Sequence, residues 1–141
     1  MATNPKEYLK KYKNIAVYGF SKNPEKVAHT IPVYLKTRGY NVVGINPQKF
    51  EVAGIPVYQK LMDVPEEIEI LDVFRPSEHC LDVAKEAIER RKVRGDIKVI
   101  WLQEGIVNDE AKKLAEENGI VFVQDTCIYQ VYQSMLARGE I

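Results

Sequence analysis

The stretch from Asn14 to Ser21, Asn-Ile-Ala-Val-Tyr-Gly-Phe-Ser, decides the fold that the sequence predicts. Its apolar run, 15–18, is typical of a strand that is buried on both faces of a parallel sheet. Gly19 ends the run, and a glycine at this place allows a tight turn and a close approach of the backbone to a ligand. Ser21 and Lys22 add a hydroxyl and a cation where a phosphate would lie. The layout suits a nucleotide-binding turn, but it holds only the first glycine of the G-x-G-x-x-G fingerprint, so a plain chain reversal is the alternative.

Length and composition exclude several classes of protein. The 141 residues are enough for a single domain with a buried core, in which 1–13 forms an N-terminal helix or arm. Lys plus Arg and Asp plus Glu number 20 each, and the resulting zero net charge argues against a general nucleic-acid or membrane-surface binder. No apolar run approaches the roughly 20 residues that span a bilayer, and the polar start is unlike a signal peptide. The two cysteines have no metal-binding spacing, so we expect a cytoplasmic protein with free thiols and no metal.

Strand and helix patterns alternate along the chain with short connections. This alternation predicts an α/β fold with three layers, in which a doubly wound, mostly parallel sheet of five or slightly more strands lies between helices. A hairpin or extended excursion is expected over 50–58. The predicted strands are 15–18, 40–45, 69–74, 98–102 and 120–123.

Proline and serine positions set the predicted helix starts. Pro32 is tolerated only in a first turn, so the first helix after the opening strand is expected to begin near His29 or Thr30. This leaves 20–28 as a long loop, and long loops in compact units are often functional. Ser77 is expected to cap a helix over 78–91.

The end of the second strand bears on ligand choice. NAD-binding folds place an acidic residue about 20 positions after the glycines, where it accepts the ribose hydroxyls. This chain has Asn46 there, with Lys49 just beyond. The exchange of an acid for a cation disfavours NAD and favours a ligand with a phosphate near its ribose. A small NADP-dependent or other nucleotide-dependent oxidoreductase stays open as an alternative.

The five strand ends carry cations and neutral hydrogen-bond donors. Ligands of open parallel sheets bind beyond these ends. Lysine, arginine, amide and hydroxyl groups bind phosphates, whereas no His–Asp or Ser–His pairing serves acid–base chemistry. We therefore predict a binding site and no catalytic residue.

The same segments resemble the stand-alone CoA-binding domain proteins, which are similar in turn to the amino-terminal, Rossmann-like CoA-binding domain of the succinyl-CoA synthetase alpha subunit. The resemblance runs from Asn14 to the last helix. It is carried by Gly19-Phe-Ser21, Gly44-Ile-Asn46-Pro47 with Lys49, Phe74-Arg75-Pro76, Trp101-Leu-Gln103-Glu-Gly105 and Asp125-Thr-Cys127.

The resemblance implies a binding site for CoA or an acyl-CoA. It assigns the phosphates to the loop of Gly19, Phe20, Ser21 and Lys22, and the 3′-phosphate region to Asn46, Pro47 and Lys49. It makes Phe74, Arg75 and Pro76 a wall for the nucleotide, and places Gln103 and Gly105 beside the pantetheine. Ligase activity is not implied, because the phosphorylated histidine of the synthetase belongs to a domain that these 141 residues do not contain.

Several of these residues have simpler interpretations. Ser21 and Asn46 are suited to closing local turns, and Arg75 to an exposed ion pair with Glu78. Trp101 is expected in the core. An interaction domain with a vestigial pocket is the third hypothesis for the whole chain.

Overall fold

The run 15–17 forms the buried centre of a six-stranded sheet in the computed structural model, which describes residues 4–141. All strand pairs are parallel, and their order is β3-β2-β1-β4-β5-β6. The predicted α/β, doubly wound fold is therefore confirmed, with a sixth strand inside the segment expected to be a hairpin. The strands are β1 (Asn14–Tyr18), β2 (Asn41–Ile45), β3 (Val57–Tyr58), β4 (Ile70–Val73), β5 (Val99–Leu102) and β6 (Val121–Val123).

Five α-helices between residues 4 and 141 cover the two faces of the sheet. One apolar core lies under α3 and α4, and the other lies under α1, α2 and α5. Within residues 4–141, no helix is long and apolar enough to cross a membrane. Met1, Ala2 and Thr3 of the predicted N-terminal arm lie outside the described residues. The helices are α1 (Pro5–Lys11), α2 (Val27–Thr37), α3 (Cys80–Arg94), α4 (Asp109–Glu117) and α5 (Ile128–Ala137).

The strand order reverses between β1 and β4. The chain moves outward from β1 through β2 to β3, returns to place β4 on the other side of β1, and then moves outward again through β5 and β6. Connections that leave β1 and β4 in opposite directions open a crevice at the carboxyl end of the sheet. The fold thus provides a crevice between the ends of β1 and β4.

The predicted start of α2 is wrong by two or three residues. The helix begins at Val27 and contains Pro32 as its sixth residue. A proline has no N–H to donate to the carbonyl four residues earlier, so the carbonyl of Ala28 receives no bond from it. That carbonyl instead accepts the backbone N–H of Ser21 at 3.1 Å. The loop after β1 is therefore shorter than predicted and is tied to the first turn of α2.

The predicted cap at Ser77 is also wrong. A 3₁₀ turn occupies Ser77–His79, and α3 begins only at Cys80, without a side-chain cap. The Ser77 hydroxyl accepts the backbone N–H of Val107 at 3.0 Å, which joins the loops after β4 and β5. One face of α3 packs into the core, and its five residues, spaced at three and four along the helix, are all buried: Cys80, Val83, Ala84, Ala87 and Ile88.

Candidate functional site

A cleft of about 710 Å³ lies at the carboxyl end of the sheet, where the strand order reverses. The start of α2 forms one side, and the segment 74–76 after β4 forms the other. The loop after β5 and the first turn of α5 close the end nearest β6. The lining residues are Lys26, Val27, Ala28, Ile31, Phe74, Arg75, Pro76, Gln103, Glu104, Ile106, Cys127 and Gln130.

Four of the predicted site residues line this cleft, namely Phe74, Arg75, Pro76 and Gln103. Gly19 does not line the cleft, but it allows the ends of β1 and β4 to approach each other there. The φ angle of Gly19 is +95°, and a Cβ atom there would lie 2.7 Å from the carbonyl oxygen of Phe74. Only a residue without a side chain lets the ends of β1 and β4 approach this closely.

The loop after β1 is stabilised by contacts of Phe20, Ser21 and Asn46. The Phe20 side chain is fully buried, and a Cβ atom at Gly44 would collide with its ring. The Ser21 hydroxyl accepts the backbone N–H of Asn23 at 3.1 Å. Asn46 donates from its amide to the Phe20 carbonyl at 2.8 Å, which ties the end of β2 to the loop after β1. The contacts of Ser21 and Asn46 thus agree with the interpretation that their side chains close local turns.

The other predicted residues lie outside the lining of the cleft. Lys22, Pro47 and Lys49 are exposed at the ends of β1 and β2. Gly105 has a φ angle of +83° and donates its N–H to the Asp125 carboxylate at 2.7 Å.

The entrance near α2 is positively charged. Lys26 and Arg75 both line the cleft, and no described ion pair neutralises either one. Lys26 is the residue before α2 and makes no side-chain cap. The N–H of His29 donates to the Lys26 carbonyl at 3.0 Å, whereas the N–H groups of Val27 and Ala28 have no acceptor among the described residues. The partial positive charge of this helix end adds to that of the two side chains. This part of the cleft therefore suits an anion.

An apolar wall faces that charge. It is formed by three segments of the chain, of which the sequence predicts 74–76 and does not predict the part that α2 contributes. Val27 and Ile31 lie four residues apart, which places them on one face of the helix, and Val27 is 63% exposed. The spacing can be found in the sequence, but a helix predicted to begin at His29 or Thr30 leaves Val27 in the preceding loop. The apolar lining residues are Val27, Ile31, Phe74, Pro76 and Ile106.

Gln103 at the base of the cleft is held by a buried carboxyl group. Its side-chain amide donates to Asp72 Oδ1 at 2.6 Å, and its carbonyl oxygen accepts the backbone N–H of Ile128 at 3.2 Å. Burial raises the pKa of Asp72 to about 7. Its second oxygen, Oδ2, has no hydrogen-bond partner among residues 4–141. The sequence analysis missed Asp72 because an acid in an apolar strand carries no signal of its function.

The described residues, 4–141, contain no cluster of side chains that could hold a metal ion. Trp101, expected in the core, is fully buried and donates its indole N–H to the Thr126 carbonyl at 2.8 Å. The cleft can hold an anion against an apolar surface.

The model of the CoA binding domain family matches residues 13–133, which is most of the chain. The chain belongs to the CoA binding domain family. The protein YneT of Bacillus subtilis is 35% identical over 123 residues, which cover 87% of each chain. The structure of cell-free ID.343 from Thermus thermophilus covers 94% of this chain and 99% of its own, with a TM-score of 0.85 and 36% identity.

This CoA binding domain is also homologous to part of much larger enzymes. The ADP-forming acetate–CoA ligase I of Archaeoglobus fulgidus is 26% identical over 122 residues. The match covers 82% of this chain and 18% of the ligase. The predicted resemblance to the CoA-binding domain proteins is thus confirmed, and these larger relatives are ADP-forming acetate–CoA ligases.

Proposed function

We propose that this protein binds CoA or an acyl-CoA in the cleft, as one domain and without catalysis of its own. The observation that carries the proposal is a cleft at the reversal of the strand order with two unpaired cations beside an apolar wall. CoA has the matching chemistry, because it joins phosphates to an adenine and to a long pantetheine arm. Membership of the family supports the same ligand.

The phosphates of the ligand lie at the start of α2 in this proposal. The charge comes from Lys26 and Arg75, and the backbone N–H groups of Val27 and Ala28 add hydrogen-bond donors. Lys22 and Lys49, exposed beyond β1 and β2, reach the 3′-phosphate. The pantetheine arm then passes Gln103 toward the end of β6.

We assign no reaction to the cleft, because among residues 4–141 no hydrogen bond joins a nucleophile, a base and an acid of its lining. The ligases that contain a homologous segment are several times longer, so their reaction is not assigned to this chain. We place the protein in the cytoplasm, where the two cysteines, which form no disulfide, stay reduced. No observation favours the oxidoreductase alternative.

Isothermal titration with CoA, NADP, NAD and ATP tests the proposal. We expect CoA to bind more tightly than the other three and to stabilise the fold by about 2.7 kcal/mol at 100 times its Kd. Arg75→Ala and Lys26→Ala should each weaken CoA binding roughly tenfold or more, because a charged hydrogen bond contributes about 1.5–3 kcal/mol. Lys112→Ala, at a residue of α4 that does not line the cleft, is the matched control. A protein that binds no CoA, or that prefers NADP, would overturn the proposal.

A further inference from the structure

A second, smaller cavity adjoins the cleft beyond Cys127. Its volume is about 360 Å³, at the small end of the range for small-molecule sites. Glu104, Cys127 and Gln130 line both cavities, so the two meet at these residues. We call the smaller cavity the recess. Asp125, Thr126 and Ser134 form its far side, next to α1.

We infer that the recess holds the acyl group of an acyl-CoA, and that it selects short, uncharged, polar acyl groups. This inference rests on the proposed function. Neighbouring strands are about 4.8 Å apart, so three strand spacings separate the phosphate end at β1 from β6 by about 14 Å. A ligand with its phosphates at α2 and its arm along the strand ends points its thiol at the recess.

The walls of the recess are polar. The side chains of Gln130 and Ser134 make no hydrogen bond to any described residue, so their polar groups are available to a ligand. The Thr126 hydroxyl donates to the Gln124 carbonyl at 2.9 Å, and its oxygen can still accept a hydrogen bond from a ligand. A long aliphatic chain would remove these groups from water without replacing their hydrogen bonds, which is unfavourable. A hydroxyl or carbonyl on a short acyl group would form such bonds.

The charges of the recess disfavour an acyl group that carries a carboxylate. Lys6 lies on its wall, but Glu140 neutralises it at 3.1 Å. Glu104 and Asp125 are exposed, and neither forms an ion pair with a described cation. A carboxylate on the acyl group would therefore meet two like charges and no unpaired cation among the described residues that line the recess, and like charges at close range repel.

Calorimetric titrations of the full chain with free CoA, 3-hydroxybutyryl-CoA, succinyl-CoA and palmitoyl-CoA test the inference. We expect 3-hydroxybutyryl-CoA to bind at least as tightly as CoA, and the succinyl and palmitoyl esters at least fivefold more weakly. Ser134→Phe fills the recess and should weaken 3-hydroxybutyryl-CoA at least tenfold, while free CoA changes less than twofold. Ala137→Phe adds the same ring to the exposed end of α5 and is the control for folding.

Removal of the two carboxylates tests the charge argument separately. Asp125 has a φ angle of +53°, which asparagine tolerates, and an asparagine oxygen still accepts the Gly105 N–H. Glu104→Gln combined with Asp125→Asn should therefore keep the fold and bring the affinities for succinyl-CoA and 3-hydroxybutyryl-CoA within twofold. Suppose that the wild type binds CoA. If Ser134→Phe then leaves the affinity for 3-hydroxybutyryl-CoA unchanged, or lowers the affinities for this ester and for free CoA equally, the recess is not the acyl site. Absence of CoA binding by the wild type overturns the proposed function itself.

Discussion

Gly19 and Gly39 have nearly the same backbone conformation in different surroundings. Their φ angles are +95° and +97°. A Cβ atom at Gly19 would lie 2.7 Å from the Phe74 carbonyl oxygen, whereas nothing lies within 4 Å of one at Gly39. Both positions need glycine for the backbone, but only Gly19 also needs it for packing.

Gly19→Ala is expected to destabilise the protein more than Gly39→Ala. The backbone strain of a positive φ angle is about 1–3 kcal/mol at either position. Gly19→Ala adds the collision with Phe74, which joins the two sides of the cleft. Urea unfolding of both variants measures the difference, and equal losses of stability would contradict the packing role of Gly19.

Asp72 is expected to make stability fall as the pH rises from about 4 to about 7. Burial raises the pKa of Asp72 from 3.8 to about 7, so the native state keeps a proton that the unfolded state has already lost. The unfolded state then binds fewer protons, and the free energy of unfolding decreases with pH over this interval. One pKa unit corresponds to about 1.4 kcal/mol, so the decrease amounts to a few kcal/mol.

Asp72→Asn removes this titration and leaves the other groups in place. Urea unfolding at pH 5 and pH 8 should show a smaller loss of stability for the variant than for the wild type between the two pH values. The comparison does not depend on the absolute stability of the variant. Identical pH dependence of the two proteins would show that Asp72 does not titrate as described.

At the scale of elements, Arg90 joins the end of α3 to the irregular segment between β3 and β4. Its guanidinium is fully buried and lies 2.9 Å from the Asp96 carboxylate. It also donates to the carbonyls of Leu61, Val64 and Glu66 at 2.7–2.9 Å. A segment that lacks regular backbone pairing thus has its carbonyls satisfied by one side chain.

Arg90→Met is expected to destabilise the protein by about 3–5 kcal/mol, because it leaves the Asp96 carboxylate buried without its cation. Arg94→Met is the control on the same helix, since Arg94 is exposed and makes one bond, of 3.4 Å, to the Pro65 carbonyl. The control should lose less than about 1 kcal/mol. Thermal and urea unfolding provide the measurement, and a loss at Arg90 no larger than at Arg94 would contradict the joining role.

The start of α2 shows how one element sets the geometry of another. Pro32 leaves the Ala28 carbonyl without its helical partner, and Ser21 uses that carbonyl. The loop after β1 is thereby fixed to the helix whose first turn lines the cleft. The position of Lys26 and Val27 in the cleft follows from this contact.

At the scale of the whole molecule, zero net charge means that any attraction for a multiply charged ligand is local. Lys22 and Lys49 are exposed at the same end of the sheet as Lys26 and Arg75, so four cations lie at the end that the proposal assigns to phosphates. Affinity for CoA should therefore decrease as salt concentration rises, since exposed charges are screened.

CoA is expected to bind more tightly than 3′-dephospho-CoA. A charged hydrogen bond from Lys22 or Lys49 to the 3′-phosphate contributes about 1.5–3 kcal/mol, which is roughly a tenfold to hundredfold difference in Kd. Titration of both ligands against the wild type, Lys22→Ala and Lys49→Ala measures it. The lysine that contacts the 3′-phosphate is the one whose replacement abolishes the preference for CoA over 3′-dephospho-CoA. Equal affinity of the wild type for the two ligands would contradict the assignment of the 3′-phosphate to these lysines.

The sequence by itself determined the parallel sheet, its helices and most of their ends. Apolar runs placed five of the six strands within one residue, because burial on both faces leaves a continuous pattern, whereas the two-residue β3 was not predicted as a strand. Local chemistry was equally decisive at Asn108, whose side chain caps α4, and at Gly39, whose positive φ angle follows α2. Motifs at the strand ends identified the family.

Only the tertiary structure decided which side chains line the cleft. Ser77 bonds to Val107 instead of capping α3, and Asn46 bonds to Phe20. The partners in these pairs are 26 to 30 residues apart in the chain, and local propensity says nothing about such neighbours. The raised pKa of Asp72 is likewise a property of the tertiary structure. The pKa of a carboxyl group depends on its burial, and Asp72 is fully buried only in the assembled fold.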